Sequence, residues 1–404
     1  MLSDMDEATL LTNLMEKSSD GIYFKDMESK FILVNHACAN KHKYASPDQM
    51  IGKNDFDHFS REHAEQAYAD EQRIIQTGIP LSSIEEKETW EDGSETWVST
   101  TKMPLRDEAG SIIGTFGISR DITDRKQAEF RVRRYAEEIS AIKEEMENDV
   151  VMAGELQKSF FPSTYPDYPE GAPPEDRCVE FLHRFNLNSD VSGDYCAINR
   201  ISDHEAGIFL CEVGGMGLRA ALGTALIRGI MQEISDLAGD PGAYLGRMSM
   251  LLAPLLRQES LQLSASACYM VIDLATGEIC TANAGHPMPI YLRDGYAAEW
   301  LCKGTTCVGP ALAAQADAHY NTVVHQIAPG DSVVMFSDGL YRATNKIDDE
   351  YGLKRLFDSA HSLAGESLID IFDGLEGDAL AFSRDGKFSD DVCIVGFRLN
   401  KLMS

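Results

Sequence analysis

The sequence predicts an α+β protein in which a long helix joins two folded units, and three observations carry that prediction. Short strand-like runs cluster at 21–35 and 81–120, then again at 178–213, 266–292, 321–337 and 391–399. Between the two sets, Val132, Tyr135, Ile139, Ile142 and Met146 recur at 3-4-3-4 spacing with Arg, Lys and Glu among them. Several of the later runs also end in an acidic residue beside glycine or another small residue. Strand runs with paired helices inserted are the pattern of α+β architecture. A chain of 404 residues is long enough for two or three domains, each with its own core.

The chain carries 65 acidic against 36 basic residues, a formal net charge of −29. That balance disfavours nucleic acid and anionic membranes, which both require cationic surface. Nine cysteines are scattered without a CxxC pair, so neither a zinc site nor a disulfide framework is expected. Cys196, Cys211, Cys268 and Cys393 lie in apolar runs, where a free thiol behaves as a small hydrophobe. A reducing cytoplasm is the expected compartment. No basic-then-apolar leader opens the sequence, and the most apolar region, 206–231, is interrupted by Glu212, Arg219 and Arg228. Neither secretion nor a membrane span is therefore expected.

The first unit is expected at 8–122. A helical start over Ala8–Lys17 leads to Gly21–Asp26 and Lys30–Asn35, two short strand patterns that form a hairpin. A polar, helix-prone stretch follows from His36 to Thr77. Three strand candidates close the unit, Leu81–Thr89, Glu95–Leu105 and Ile112–Arg120, parted by Asp92-Gly93 and Asp107–Gly110. Asp20-Gly21-Ile22-Tyr23-Phe24 resembles the first strand of a PAS sensor domain. Asp121-Ile122-Thr123-Asp124-Arg125 is similar to the Asp-Ile-Thr ending from which such a domain passes into a signalling helix. His36, His42, His58 and His63 are candidate haem ligands, although surface positions on helices account for them more simply. The Asn-Cys-Arg-Phe motif of flavin light sensors is absent, Cys38 lying instead in Ala37-Cys38-Ala39, and Trp90 and Trp97 are expected to pack. The PAS ligand is not specified by these residues.

Residues 123–161 form the linker. The seam from Val132 to Met146 favours a parallel coiled coil between two copies of the chain, hence a homodimer; one amphipathic helix lying on its own domain is the alternative. Beyond Met146 the spacing changes through Val150, Ala153, Leu156 and Phe160, and Asp149 falls at the seam position, so the heptad slips there. A helix with two registers offers a route by which the first unit could signal to the next.

The third segment is 162–404. Pro162–Pro174 holds five prolines and is a connection rather than a helix. Strands are expected at 178–186, 195–202 and 206–213, helices at 218–236 and 241–257, and further strands at 266–273, 278–283, 288–292, 321–327 and 332–337. Helices near 350–360 and 366–381 precede a last strand at 391–399. In Val333–Leu340 a buried strand delivers Asp338, and Gly339 permits a sharp turn beside it. Alone, that string is a strand ending in an ordinary turn. Asp194 within Val191–Tyr195, Glu212 within Gly207–Gly217, and Asp391 ahead of Val392–Phe397 add three more acidic stations. Four carboxylates without a competing His or Cys cluster make an all-oxygen site suited to Mg²⁺ or Mn²⁺. Two such ions can activate water and clamp a phosphoryl group.

Residues from about 153 to 399 resemble the metal-dependent protein phosphatase (PPM) family, in its bacterial sporulation and stress-response branch. The matching segments are Glu155–Pro162, Gly193-Asp194, Glu212–Gly217, Asn283-Ala284-Gly285-His286-Pro287, Ala328–Gly339 and Asp390-Asp391. The resemblance implies a β-sandwich flanked by helices. It also implies two Mn²⁺ or Mg²⁺ ions held by Asp194, Glu212, Asp338 and Asp391, the same carboxylates serving catalysis, with the Val213 carbonyl as a further ligand. The implied substrate is a phosphorylated anti-sigma-factor antagonist, a STAS-domain protein. His286 is a candidate donor to the leaving oxygen or a structural residue, and Arg184 and Arg219 are candidate phosphate contacts. Three positions depart from the pattern: Glu212 stands where Asp is usual, and Ala197 and Arg342 where acidic residues are usual; Met216 replaces a common His, a change the sporulation branch tolerates. The extra methylene of Glu212 bears on the spacing of an ion pair, so a slow enzyme, or a degenerate fold acting as a non-enzymatic adaptor, is the competing expectation.

Overall fold

The computed structural model describes residues 7–257, 263–295, 297–302, 307–315 and 317–403. The chain divides into two compact units, Met1–Ile142 and Lys143–Ser404.

In the first unit, the alternating runs pair as one antiparallel sheet of β1 (Gly21–Asp26), β2 (Phe31–Val34), β3 (Leu81–Thr89), β4 (Glu95–Arg106) and β5 (Ile112–Asp121), in the order β2-β1-β5-β4-β3. A first helix, α1 (Glu7–Lys17), buries no residue. The helix-prone middle resolves into α2 (His36–Lys41) and α3 (Arg61–Thr77). Asn35 starts α2: its Oδ1 accepts from the Cys38 N–H at 2.8 Å and from the Ile22 N–H at 2.9 Å, tying the helix to β1. Ser60 caps α3, and Gly78 ends it in the left-handed conformation that glycine adopts without cost. Tyr23, Phe31, Val34, Cys38, Ala39 and Met50 form the core between sheet and helices.

The linker is one helix, α4 (Thr123–Lys158), of 36 residues. Arg133–Glu137, Arg134–Glu138 and Lys143–Glu147 pair along its surface one turn apart. Val132, Tyr135, Ile139, Ile142 and Met146 are each more than half exposed.

The second unit is a sandwich. One sheet has the order β13-β10-β9-β8-β7, built from β7 (Asp194–Arg200), β8 (Glu205–Val213), β9 (Ala265–Asp273), β10 (Glu278–Ala284) and β13 (Val323–Gln326). The other has the order β12-β11-β14-β15-β6, from β6 (Val179–Asn186), β11 (Ile290–Leu292), β12 (Ala298–Trp300), β14 (Ser332–Phe336) and β15 (Val392–Leu399). Their facing surfaces share one core, in which Ile208, Leu210 and Met270 meet Val333, Met335 and Val395. The intervening residues point outward: Val334, Phe336 and Ile394 pack against α7 (Gly352–Ser362) and α8 (Leu368–Phe382). Phe209, Cys211 and Tyr269 pack against α5 (Leu218–Glu233) and α6 (Pro241–Leu256). Covering both faces of each sheet explains why these strands are continuously apolar rather than alternating.

Two details differ from expectation. The three-residue strand β12 carries too short a pattern to be foreseen. Cys302 and Cys307 are joined as a disulfide with Cα atoms 6.3 Å apart, a local bridge that the expectation of no disulfide framework did not foresee. Cys196, Cys211, Cys268 and Cys393 are free and buried. Among the described residues no helix is long and apolar enough to cross a membrane.

Candidate active site

Asp194 opens β7 and Glu212 is the penultimate residue of β8, and the antiparallel register sets the two directly opposite each other. Their side chains thus project from the same face, where like charges in a cross-strand pair oppose folding. The second sheet contributes the rest. Asp338 follows β14 in a single turn of 3-10 helix, Asp338–Leu340, and Asp391 immediately precedes β15. Pairing of Phe336 with Ile394 aligns the ends of these two strands. A Cβ on Gly339 would stand 2.0 Å from the Asp391 carbonyl oxygen, so only glycine lets the two turns come this close. Asp194, Glu212, Val213, Asp338, Asp390 and Asp391 all line one cavity of about 350 Å³, together with the glycine-rich loop at Gly215–Gly217.

Negative charge dominates the electrostatics of this cavity. Asp194 is 3% exposed, and its Oδ2 has no hydrogen-bond partner. Burial pushes its carboxyl well above the usual range, the charges of Glu212, Asp391 and Asp338 push the same way, and a hydrogen bond from the Ser337 hydroxyl pulls it back. Glu212 is raised to about 7 by burial and by the charge of Asp338. Asp338 is raised by burial, against the pull of Arg342, whose Nη1 lies 3.0 Å from Asp338 Oδ2. Asp391 Oδ1 accepts the Asn188 N–H at 2.7 Å. With Asp338 turned to Arg342 and Asp391 to Asn188, no three His, Cys, Asp or Glu side chains among the described residues form a group ready to hold a metal ion. The donor chemistry nevertheless fits hard divalent cations: the polar side chains of the lining are carboxylates, hydroxyls and an amide, with no His or Cys among them, and one buried Asp194 oxygen lacks any partner.

Two residues had no role assigned from sequence. Ser337 is fully buried, and its Oγ accepts the Cys393 N–H at 2.9 Å, linking Asp194 to the β14–β15 ends. Gln157, near the end of α4, donates to the Ser192 carbonyl (2.6 Å) and the Thr224 hydroxyl (2.9 Å) and accepts the Ser192 N–H (2.9 Å). It thus grips the backbone two residues before Asp194. A polar residue closing an apolar strand was the available signal for Ser337, whereas Gln157, set between Glu155 and Lys158, carried none.

The remaining candidates lie elsewhere. His286 is buried, with its Nδ1 2.8 Å from the Ser266 hydroxyl, and its backbone closes a turn with the Asn283 side chain. Burial lowers its pKa to about 3, and it does not line the acidic cavity. Arg184 is not available to phosphate, because Asp373 and Glu376 hold its guanidinium. Arg219 is exposed on the first turn of α5. Ala197 faces the core under α5 and α6, so no ligand stands there. In the first unit, His42 and His58 pack edge to face at 4.9 Å, and His42 also meets Phe59 and Trp90. His36 is exposed.

Residues 202–400 match the family model of Stage II sporulation protein E (SpoIIE), and residues 15–127 match that of the PAS fold. The chain joins a PAS-fold domain to a SpoIIE-family domain. Phosphoserine phosphatase RsbP of Bacillus subtilis is 25% identical over 167 residues, 41% of this chain and 40% of that protein. The methanogenesis regulatory histidine kinase FilI of Methanothrix harundinacea is 31% identical over 115 residues, 28% of this chain and 13% of that one. The chain thus spans less than half the length of these relatives. The SiaA-PP2C domain of Pseudomonas aeruginosa has the same fold as the SpoIIE-family domain: its TM-score is 0.53 at 19% identity, covering 64% of this chain and 99% of that chain.

Proposed function

We propose that this chain is a sensor-regulated, Mn²⁺- or Mg²⁺-dependent serine/threonine protein phosphatase of the cytoplasm. In this reading its substrate is a phosphorylated STAS-domain anti-sigma-factor antagonist. The observation that carries the proposal is the convergence of Asp194 and Glu212 from one sheet with Asp338 and Asp391 from the other on a single cavity. RsbP, a phosphoserine phosphatase by name, supports the substrate chemistry.

Asp194, Glu212, Asp338, Asp391 and the Val213 carbonyl would hold two divalent ions, which when bound lower the pKa of water and neutralise phosphate charge. The protein's own part is positional. Ser337 fixes Asp194, Gly339 keeps Asp338 beside Asp391, and the buried strands beneath hold each carboxylate from a rigid base. Arg342 engages one oxygen of Asp338 and so competes with a cation for that carboxylate. This ion pair, with the longer arm of Glu212, favours a second reading in which the domain binds its partner without hydrolysing it.

Turnover separates the two. The purified protein is expected to hydrolyse an aryl phosphate and a phosphoserine protein only with Mn²⁺ or Mg²⁺ present. Asp338→Asn should reduce that rate by on the order of a hundredfold or more. No turnover with a folded protein would leave the adaptor reading, and a metal-independent rate would overturn both.

The exposed seam of α4 supports a homodimer through this helix. A second copy covers the five apolar residues, and the flanking charges already pair within the helix. Ile139→Asp, which buries a carboxylate in that seam, should convert a dimer to a monomer in sedimentation. An unchanged mass would place the contact elsewhere.

A further inference from the structure

Strand β7 is an edge of its sheet: it pairs with β8 on one side, and among the described residues no other backbone–backbone hydrogen bond involves Tyr195–Arg200. An open cleft of about 650 Å³ runs along that free edge, between it, residues 159–164 and α5. Its lining marks an edge rather than a face. Ala197 and Ile198 belong to the cores on opposite sides of the sheet, yet both border the cleft, as do Asn199 and Arg200. Main-chain groups left unpaired along a strand are a template for another strand. The charge of the cleft is the reverse of the chain's. In a chain of net charge −29 no Asp or Glu lines it, whereas Arg200 and Arg228 do. Arg228, from α5, lies 4.7 Å from the centre of the Phe160 ring and beside the Tyr195 hydroxyl. Arg200 lies 4.5 Å from the centre of the Tyr168 ring and donates to the Asp167 carbonyl, while the Asp167 carboxylate is held by Arg177. Neither Arg200 nor Arg228 pairs with a carboxylate among the described residues, so each keeps N–H donors for an anion.

We infer that this edge takes an extended acidic peptide of a partner protein as an added strand, its main chain pairing with β7 and two of its carboxylates meeting Arg228 and Arg200. Spacing favours a peptide over a small anion. Tyr195, beside Arg228, and Arg200 stand at opposite ends of the free edge. Five steps of about 3.3 Å put them roughly 16 Å apart, too far for one carboxylate or phosphate to bridge. Parity then sets the pattern. Tyr195 faces the α5 and α6 side, and Arg200, an odd number of positions further, faces the other side. The peptide therefore carries acidic residues at i and i+5, which an extended chain also places on opposite faces. Residues suited to a strand lie between them.

Fluorescence anisotropy on the full chain tests this with the hexapeptide Glu-Thr-Val-Thr-Val-Glu, labelled at its amino end and amidated at the other. It should bind at one site per chain. Replacing both Glu by Gln should weaken binding about a hundredfold, about tenfold for each charge-assisted hydrogen bond lost. Moving the second Glu to the fifth place should cost about tenfold, because both carboxylates then share one face. N-methylation of the amides at places 2 and 4, or at places 3 and 5, should give affinities at least tenfold apart, since only one set faces β7. Arg228→Gln and Arg200→Gln should each weaken the Glu peptide about tenfold and leave the Gln peptide unchanged. The peptide comparisons use the wild-type chain and so hold even if a variant folds poorly. Absence of binding, equal affinity for the Glu and Gln peptides, or equal affinity for the two methylated sets would overturn the inference. Displacement of the peptide by inorganic phosphate at a similar concentration would also overturn it, making the cleft a small-anion site. Self-association of the chain that Arg228→Gln abolishes would overturn it too, by giving the edge to a second copy.

Discussion

Gly339→Ala is expected to cut metal-dependent turnover about a hundredfold while leaving the chain folded. The added Cβ would lie 2.0 Å from the Asp391 carbonyl oxygen, 3.0 Å from its carbonyl carbon and 3.2 Å from Val392 Cγ2. The first two neighbours are backbone, so no rotamer change can relieve the clash, and the turn carrying Asp338 must move away from Asp391. A displacement on the order of 1 Å in a reacting constellation costs about a hundredfold in rate. The strands beneath are buried on both faces and should absorb little of this movement. Comparing the Mn²⁺-dependent rate and the calorimetric Mn²⁺ affinity of Gly339→Ala with wild type checks the argument. Both should fall together, and a wild-type rate would mean that the spacing of these two carboxylates does not matter.

Much of this arrangement was legible in the sequence because it depends on local rules. The strand β14 followed by Asp338 and Gly339 declares a rigid base, a carboxylate and a turn within eight residues. The acidic stations were recognisable for the same reason, as was the helical period of α4. What sequence could not supply was register. Nothing local in Val191–Tyr195 or Gly207–Gly217 sets Asp194 opposite Glu212 rather than one residue away, where the two side chains would point to opposite faces. Tertiary contacts also decided the fate of the basic residues. Arg184 looked free beside the motifs, but α8 brings Asp373 and Glu376 onto it, and Arg342 turned out to face Asp338 one helical turn away. Ser337 and Gln157 lie within motif segments, yet their roles depend on partners 35 or more residues distant. The buried charge network of the PAS domain was equally invisible, since Lys25, Asp55 and Glu71 share no local pattern.

That network sets the largest expected change in stability. Lys25 is 1% exposed and is the cation between Asp55 and Glu71. Burial works against its charge, yet the two carboxylates more than offset this and hold its pKa above the ordinary lysine range. Lys25→Met keeps the apolar stem and removes only the ammonium. Asp55 and Glu71 then remain buried side by side, and breaking a buried pair in this way costs about 3–5 kcal/mol. A domain of ordinary stability has only about 5–15 kcal/mol in total, so the PAS domain should open far more often or unfold outright. Hydrogen exchange locates the effect: amides of β1–β5 should lose about two to four decades of protection. Those of β7–β9, which lie in the other compact unit, should keep theirs. Changing all three residues to apolar ones of similar volume should recover much of the loss, because neutral side chains incur no desolvation penalty. If Lys25→Met alone left the protection of β1–β5 intact, the three charges would not hold this domain together, and water or a bound molecule would have to carry the compensation instead.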